Sequence, residues 1–170
     1  MADEGTMQDA HVNKEYEEIT VVSSKSVILK VVEVVISVFC IGLIVDPFNS
    51  FNTLFRYEPR PKLDDIVFIY ITLGGFIIVN TICILGHLLG DRMPKRTSLL
   101  FSVTGSILHV IAGILIIVNH RKLSGNYGIF YNNNQYASKQ YMDMMIASCF
   151  FTFVNALLFG IDVLFTIKYY

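Results

Sequence analysis

The 170-residue sequence has no tryptophan, only three cysteines and four prolines, and 16% charged residues. Each shortage excludes something. Cys40, Cys83 and Cys149 all lie within apolar stretches, so no disulfide-stapled outer domain is available. Basic and acidic residues nearly balance, 13 against 14, which excludes the general basic surface that nucleic acid binding needs. No zinc-ligand spacing, glycine-rich phosphate loop or nucleophile elbow occurs. His87 and His109 fall on separate apolar runs without a matching carboxylate cluster. The sequence therefore predicts no catalytic, metal-binding or cofactor-binding residues, and no enzyme. Pro47, Pro59, Pro61 and Pro94 fall outside the long apolar runs, so those runs are expected to be unbroken helices.

Hydrophobicity is what the chain has in abundance: 54% of its residues are apolar. Ile66–Leu89 and Ser98–Asn119 contain no carboxylate or ammonium, and only the basic segment 90–97 separates them. About 20 apolar residues cross the hydrocarbon of a bilayer, so each run is long enough, and so short a link joins antiparallel neighbours. A third run follows Asp143, with Met144–Ile161 free of charge and Asp162 beyond it. A fourth, Val27–Val45, includes Lys30 and Glu33 near its start. Lys30 is close enough to the end to extend its ammonium toward the headgroups, and Asp46-Pro47 is expected to stop that helix. The predicted fold is all-α: an integral membrane, antiparallel four-helix transmembrane bundle. Its spans are expected at about 27–45, 66–89, 98–119 and 143–167, together occupying 26–168, after a disordered acidic tail over 1–25.

Three basic residues, Arg92, Lys95 and Arg96, crowd the turn between the two central runs and abut both of their ends. Basic residues beside short turns stay on the cytoplasmic side, which predicts that both termini are cytoplasmic. Two loops then face outward, 46–65 and 120–143. The second is rich in Tyr and Asn, among them Asn126, Tyr127, Tyr131 and Tyr136. Such residues suit a membrane interface and also a contact surface. Neither loop carries a cysteine, a tryptophan or a glycosylation sequon, unlike the outer loops of claudins and tetraspanins.

In lipid, small residues allow helices to approach closely and polar residues bond across. Ser148, Thr152, Ala156 and Gly160 recur every four residues in the last span. Gly105 and Gly113 mark a ridge on the third, and Gly86 and Gly90 close the second. These are candidate helix-packing positions. Counting depth from the span ends places Asn80, His109 and Asn155 at one level near the midplane. Lys30, Glu33 and Asp162 form a second layer nearer the cytoplasm, where Lys30 and Asp162 are placed to pair. Two readings of these layers compete. One is glue that specifies which helices meet; the other is a proton or ion path with His109 and Asp162 as stations. Unbroken spans and midplane amides, which cannot pass protons onward, favour glue.

Two runs carry a family resemblance. Phe101–Gly113 places a glycine in the third span and Ala-Gly eight residues on, and Asn155-Ala-Leu-Leu-Phe-Gly-Ile-Asp162 sets an Asn…Asp pair in the fourth. With the lysine-bearing start of span one, these resemble the snakeskin family, small four-span proteins of insect smooth septate junctions. The architecture is more distantly similar to MARVEL-type four-span proteins of junctions and vesicle traffic. The acidic tail is longer than in the snakeskin family, and the outer loops share no motif with it. The resemblance implies a multi-pass plasma-membrane component of epithelial cell–cell junctions that supports the paracellular barrier. Its implied partners are other junction membrane proteins, among them a single-span adhesion protein and a tetraspanin. The lipid bilayer is a further partner, and a second copy of the chain is a candidate. A small proton- or ion-coupled transporter or channel subunit using His109 and Asp162 is the competing function.

Overall fold

The computed structural model describes residues 26–49, 62–90, 93–124 and 139–169. The acidic tail expected over 1–25, and the Tyr/Asn segment from Asn126 to Tyr136, lie outside the described residues. The described residues form four helices: α1 (Ser26–Asn49), α2 (Leu63–Leu88), α3 (Lys95–Ser124) and α4 (Lys139–Tyr169). Each is long and apolar enough to cross a membrane. At about 1.5 Å per residue they are roughly 36 to 46 Å long, several ångströms more than the hydrocarbon is thick. There is no strand among the described residues. The protein is an all-helical, multi-pass membrane bundle.

Contacts fix an up-down-up-down order. At the end of the bundle shared by the N-terminus of α1 and the C-terminus of α4, Glu33 of α1 meets Asn80 of α2 and Lys30 meets Asp162 of α4. Toward the opposite end, Cys40 of α1 meets Ser148 of α4, and the Phe48 ring packs edge-on to Tyr70 of α2. Asn119 near the end of α3 bonds Asp65 at the start of α2.

Burial follows one rule in every helix. The buried positions are 30, 33, 37, 40, 44 and 47–48 in α1; 66, 69, 72–73, 76 and 80 in α2; 102, 105, 109, 112–113, 116 and 119 in α3; and 145, 148–149, 152, 155–156, 159, 162 and 166 in α4. This alternation of three and four is the spacing that nearly parallel helices in left-handed packing call for. The chemistry of the seam is inverted relative to a water-soluble bundle. It carries Lys30, Glu33, Ser37, Asn80, Ser102, His109, Ser148, Thr152, Asn155 and Asp162, while large aliphatic residues such as Ile28, Val35, Ile71, Ile78, Leu100 and Leu157 point outward. In lipid the outward face gains nothing by turning inward, and polar side chains must find partners inside.

Helix ends depart from the expected spans in ways the local chemistry explains. α1 does not stop at Asp46-Pro47 but continues to Asn49, so Pro47 lies in its last turn rather than in a loop. Pro47 has no amide to donate to the preceding turn, which costs the helix one bond near its end, and Phe48, 2% exposed, anchors the extra turn against Tyr70. α2 starts three residues earlier than expected, with Asp64 and Asp65 in its first turn, where the helix dipole favours negative charge. α4 starts at Lys139, so Asp143 is inside it. At the other end of α2, Gly90 stands past the last helical residue at φ +85°, its amide donating to the His87 carbonyl at 3.1 Å. The expected packing role of Gly90 does not hold. It caps the helix in a left-handed conformation that side chains disfavour and turns the chain into α3, where the Ser98 amide bonds the Pro94 carbonyl.

Candidate functional site: a layered polar core

The lowest layer, near the termini, draws on all four helices. Lys30 lies at the centre of it. Its ammonium sits 2.7 Å from Asp162 Oδ2, 3.1 Å from Glu33 Oε2 and 3.4 Å from Ser102 Oγ. The Glu33 contact is within α1, where a spacing of three places both side chains on one face. Asn80 Nδ2 donates to Glu33 Oε2 at 2.9 Å, and the Ser102 hydroxyl bonds Asp162. Glu33 is wholly buried and Asp162 is 1% exposed. Lys30 does not reach the headgroups as the sequence suggested. Its three ammonium hydrogens are taken up by Asp162, Glu33 and Ser102 inside the bundle.

Above this layer lies an aromatic floor. The Phe159 ring faces Lys30, whose Nζ is 5.0 Å from its centroid. On its other side it packs on His109, centroids 4.9 Å apart. Phe76 completes the floor, 5.1 Å from Phe159 and 5.3 Å from His109. The rings fit because position 105 is glycine: a Cβ there would stand 2.8–2.9 Å from Phe159 and Phe76. Gly105 is thus a packing position with a defined counterpart.

The next layer holds His109, Asn155 and Ser37. His109 Nδ1 lies 2.8 Å from the Gly105 carbonyl. A carbonyl only accepts, so Nδ1 carries the hydrogen and Nε2 is the acceptor. Asn155 Nδ2 supplies that bond at 3.1 Å and donates also to Ser37 Oγ at 2.8 Å. One amide therefore joins α1, α3 and α4.

The small-residue stripe of α4 divides between two neighbours. Ser148 Oγ donates to the Cys40 carbonyl of α1 at 3.0 Å. The Ala156 carbonyl accepts from Ser106 of α3 at 3.0 Å, and Gly160 faces the same serine. Thr152 bonds back to Ser148 of its own helix at 2.7 Å. Gly113 lies against Phe153, which an added Cβ would meet at 2.8–3.0 Å. Gly86 is half-buried in α2.

Beyond these layers the interior is mainly apolar, built from Ile44, Ile69, Leu73, Ala112, Ile116 and Met145, with Thr72 buried among them. It is closed at the far rim by Asp65, which accepts from Asn119 at 3.2 Å and lies 3.7 Å from Lys122.

Asn80 is the residue that depth counting misplaced. It belongs to the charged layer with Glu33, about one helical turn from His109 and Asn155, and its place near them is taken by Ser37. Ser37 was not singled out in the sequence, although it lies four residues after Glu33 and seven after Lys30, on the same three-four seam. No group of His, Cys, Asp and Glu suited to a metal ion occurs among the described residues.

Compared with known protein families, residues 22–165 match the family described as MARVEL: Membrane-associating domain. No curated protein and no solved structure matches the chain.

Proposed function

The chain belongs to the MARVEL family of membrane-associating domains, and from that premise we propose that it is a non-enzymatic component of epithelial occluding junctions of the smooth septate type. It assembles there with other membrane proteins, a single-span adhesion protein and a tetraspanin among them, and supports the paracellular barrier. Its termini face the cytoplasm, its two outer loops face the intercellular space, and its lipid-facing helix surfaces meet neighbours within the membrane. The observation that carries an architectural role is the use made of the interior polar groups. Lys30, Asn80, Ser102, Asn155 and Ser148 each bond to a helix other than their own. The junctional part of the reading draws on the Phe101–Gly113 and Asn155–Asp162 runs together with family membership.

Tagged protein in polarised epithelial cells is expected to concentrate at lateral contacts, and its depletion to raise paracellular flux of an inert tracer. A uniform distribution over the cell surface would remove the junctional role.

A second reading, a proton- or ion-coupled carrier using His109 and Asp162, is favoured by one observation: Glu33 Oε1 and Asp162 Oδ1 are buried without a hydrogen-bond partner. Against it, Phe76 and Phe159 stand between His109 and the charged layer. Reconstituted vesicles showing a flux driven by a pH gradient, abolished by His109→Leu or Asp162→Asn, would establish the carrier in place of the junction component.

A further inference from the structure

The charged layer does not balance. It buries one cation, Lys30, with two carboxylates, Glu33 and Asp162, in a bundle whose outer surface is apolar. The other groups around them are uncharged: Asn80 on α2 and Ser102 on α3 bond the carboxylates, and the Cys83 thiol on α2 is the remaining titratable neighbour. His109 is on the far side of the Phe159 ring. If both carboxyls are ionised, the layer holds a net negative charge where hydrocarbon penalises it heavily.

The hydrogen bonds point to the same deficit. The ammonium hydrogens of Lys30 go to Glu33, Asp162 and Ser102, and Asn80 serves the same Glu33 oxygen that Lys30 does. Glu33 Oε1 and Asp162 Oδ1 are left without a donor although both are buried. Ser102 has a single hydroxyl hydrogen but two acceptors within reach, Asp162 Oδ2 and the Ser98 carbonyl at 3.0 Å. One hydrogen cannot satisfy both.

We infer that the Lys30–Glu33–Asp162 layer is a proton-binding site that holds one proton beyond its formal complement, shared between the two carboxyls. That proton makes the layer electrically neutral. When it resides on Asp162, the carboxylic acid donates to Ser102, which is then free to donate to the Ser98 carbonyl. When it resides on Glu33 Oε1, that carboxyl is neutral, and Ser102 donates to Asp162. The bound species is a proton and not a metal ion, because the Lys30 ammonium already occupies the position between the two carboxyls where a metal would sit. No oxidation or covalent step is involved. The site stands independently of the junctional role, since it follows from charge and hydrogen-bond stoichiometry alone.

The test is infrared spectroscopy of the full chain in lipid nanodiscs at neutral pH, reading the carbonyl stretch of protonated carboxylic acids. Wild type is expected to show the band of one buried acid. Glu33→Gln and Asp162→Asn each remove one negative charge and restore neutrality without the proton, so in both the band vanishes. Lys30→Met removes the cation, and the band doubles. A wild type without the band overturns the inference, and it needs no variant to fold. A band that survives at full size in Glu33→Gln also overturns it, because a proton held for local reasons by Asp162 does not depend on balance. Tagged protein that fails to concentrate at cell contacts while the band behaves as expected would sink the junctional reading and leave the proton site standing.

Discussion

On the terminus side of Phe76 and Phe159, the bundle interior is a network of charge and amide in which every helix supplies at least one polar atom. On the other side, past Ser148, the same seam is filled by Ile44, Ile69, Leu73, Ile116 and Met145. Spacing is alike in both halves; the chemistry is not. In water the aliphatic half would supply most of the stability. In a bilayer, leaving acyl chains for another aliphatic surface changes little, and what remains is dispersion and fit. The charged half then decides which helices meet, since Asp162 of α4, Asn80 of α2 and Ser102 of α3 all converge on the Lys30–Glu33 pair of α1. The aliphatic half accommodates whatever that choice brings together.

Substitutions should separate the halves. The largest effect is expected from Lys30→Met, which removes the cation bridging Glu33 and Asp162, so that both must take up a proton to stay buried. Removing one partner of a buried ion pair typically costs about 3–5 kcal/mol. Unfolding of the purified protein in lipid should show a loss of that order, and a loss under about 1 kcal/mol would mean the layer is not a structural keystone. Gly105→Val comes next. Its side chain has no room between Phe76 and Phe159, and overpacking of this kind costs about 1–3 kcal/mol; thermal melts in detergent followed by circular dichroism should register it clearly, with Gly42→Val, where an added Cβ meets nothing within 4 Å, as the neutral control.

Ile116→Ala tests the aliphatic half directly. In a water-soluble core such a truncation costs about 2–5 kcal/mol. Here the loss should fall below that range, since only contacts and a cavity are at stake. A full soluble-type loss would show that the two halves do not differ as described. The smallest effect belongs to Ser37→Ala, which removes one acceptor of Asn155. Interhelical hydrogen bonds in membranes average about 0.6 kcal/mol, so a double-mutant cycle with Asn155→Ala is needed to resolve the coupling.

How much of this was legible beforehand depends on which coordinate of a helix is asked for. Length and apolarity announce the spans, and the positions of Lys30 and Asp162, each near the same end of its span, announce their pairing. Depth within one turn is harder. Counting depth from the charge-free runs puts Asn80 at the level of His109, yet α2 begins at Leu63, with Asp64 and Asp65 already helical. A shift of three residues is nearly a turn, which is enough to exchange one polar layer for another. Direction around the helix carries further information. The three-four spacing of Lys30, Glu33, Ser37 and Cys40 marks the inner face of α1 and puts Ser37 on it. Pro47 and Gly90 illustrate the remaining difficulty. Whether a proline ends a helix depends on what the next residue can grip, and a glycine four residues after another serves packing only if the helix extends that far.

The partnership of Lys30 with Glu33 on its own helix has a consequence for biogenesis. As α1 leaves the ribosome it already carries a balancing charge three residues along, so it can partition from the translocon into lipid unaided. α4 emerges later with Asp162, whose cation lies on α1. Its release into the bilayer is therefore contingent on the first helix being in place to receive it. In a glycosylation-mapping assay, α4 expressed alone should integrate poorly and Asp162→Asn should improve it, whereas in the full-length chain the same substitution should leave integration unchanged.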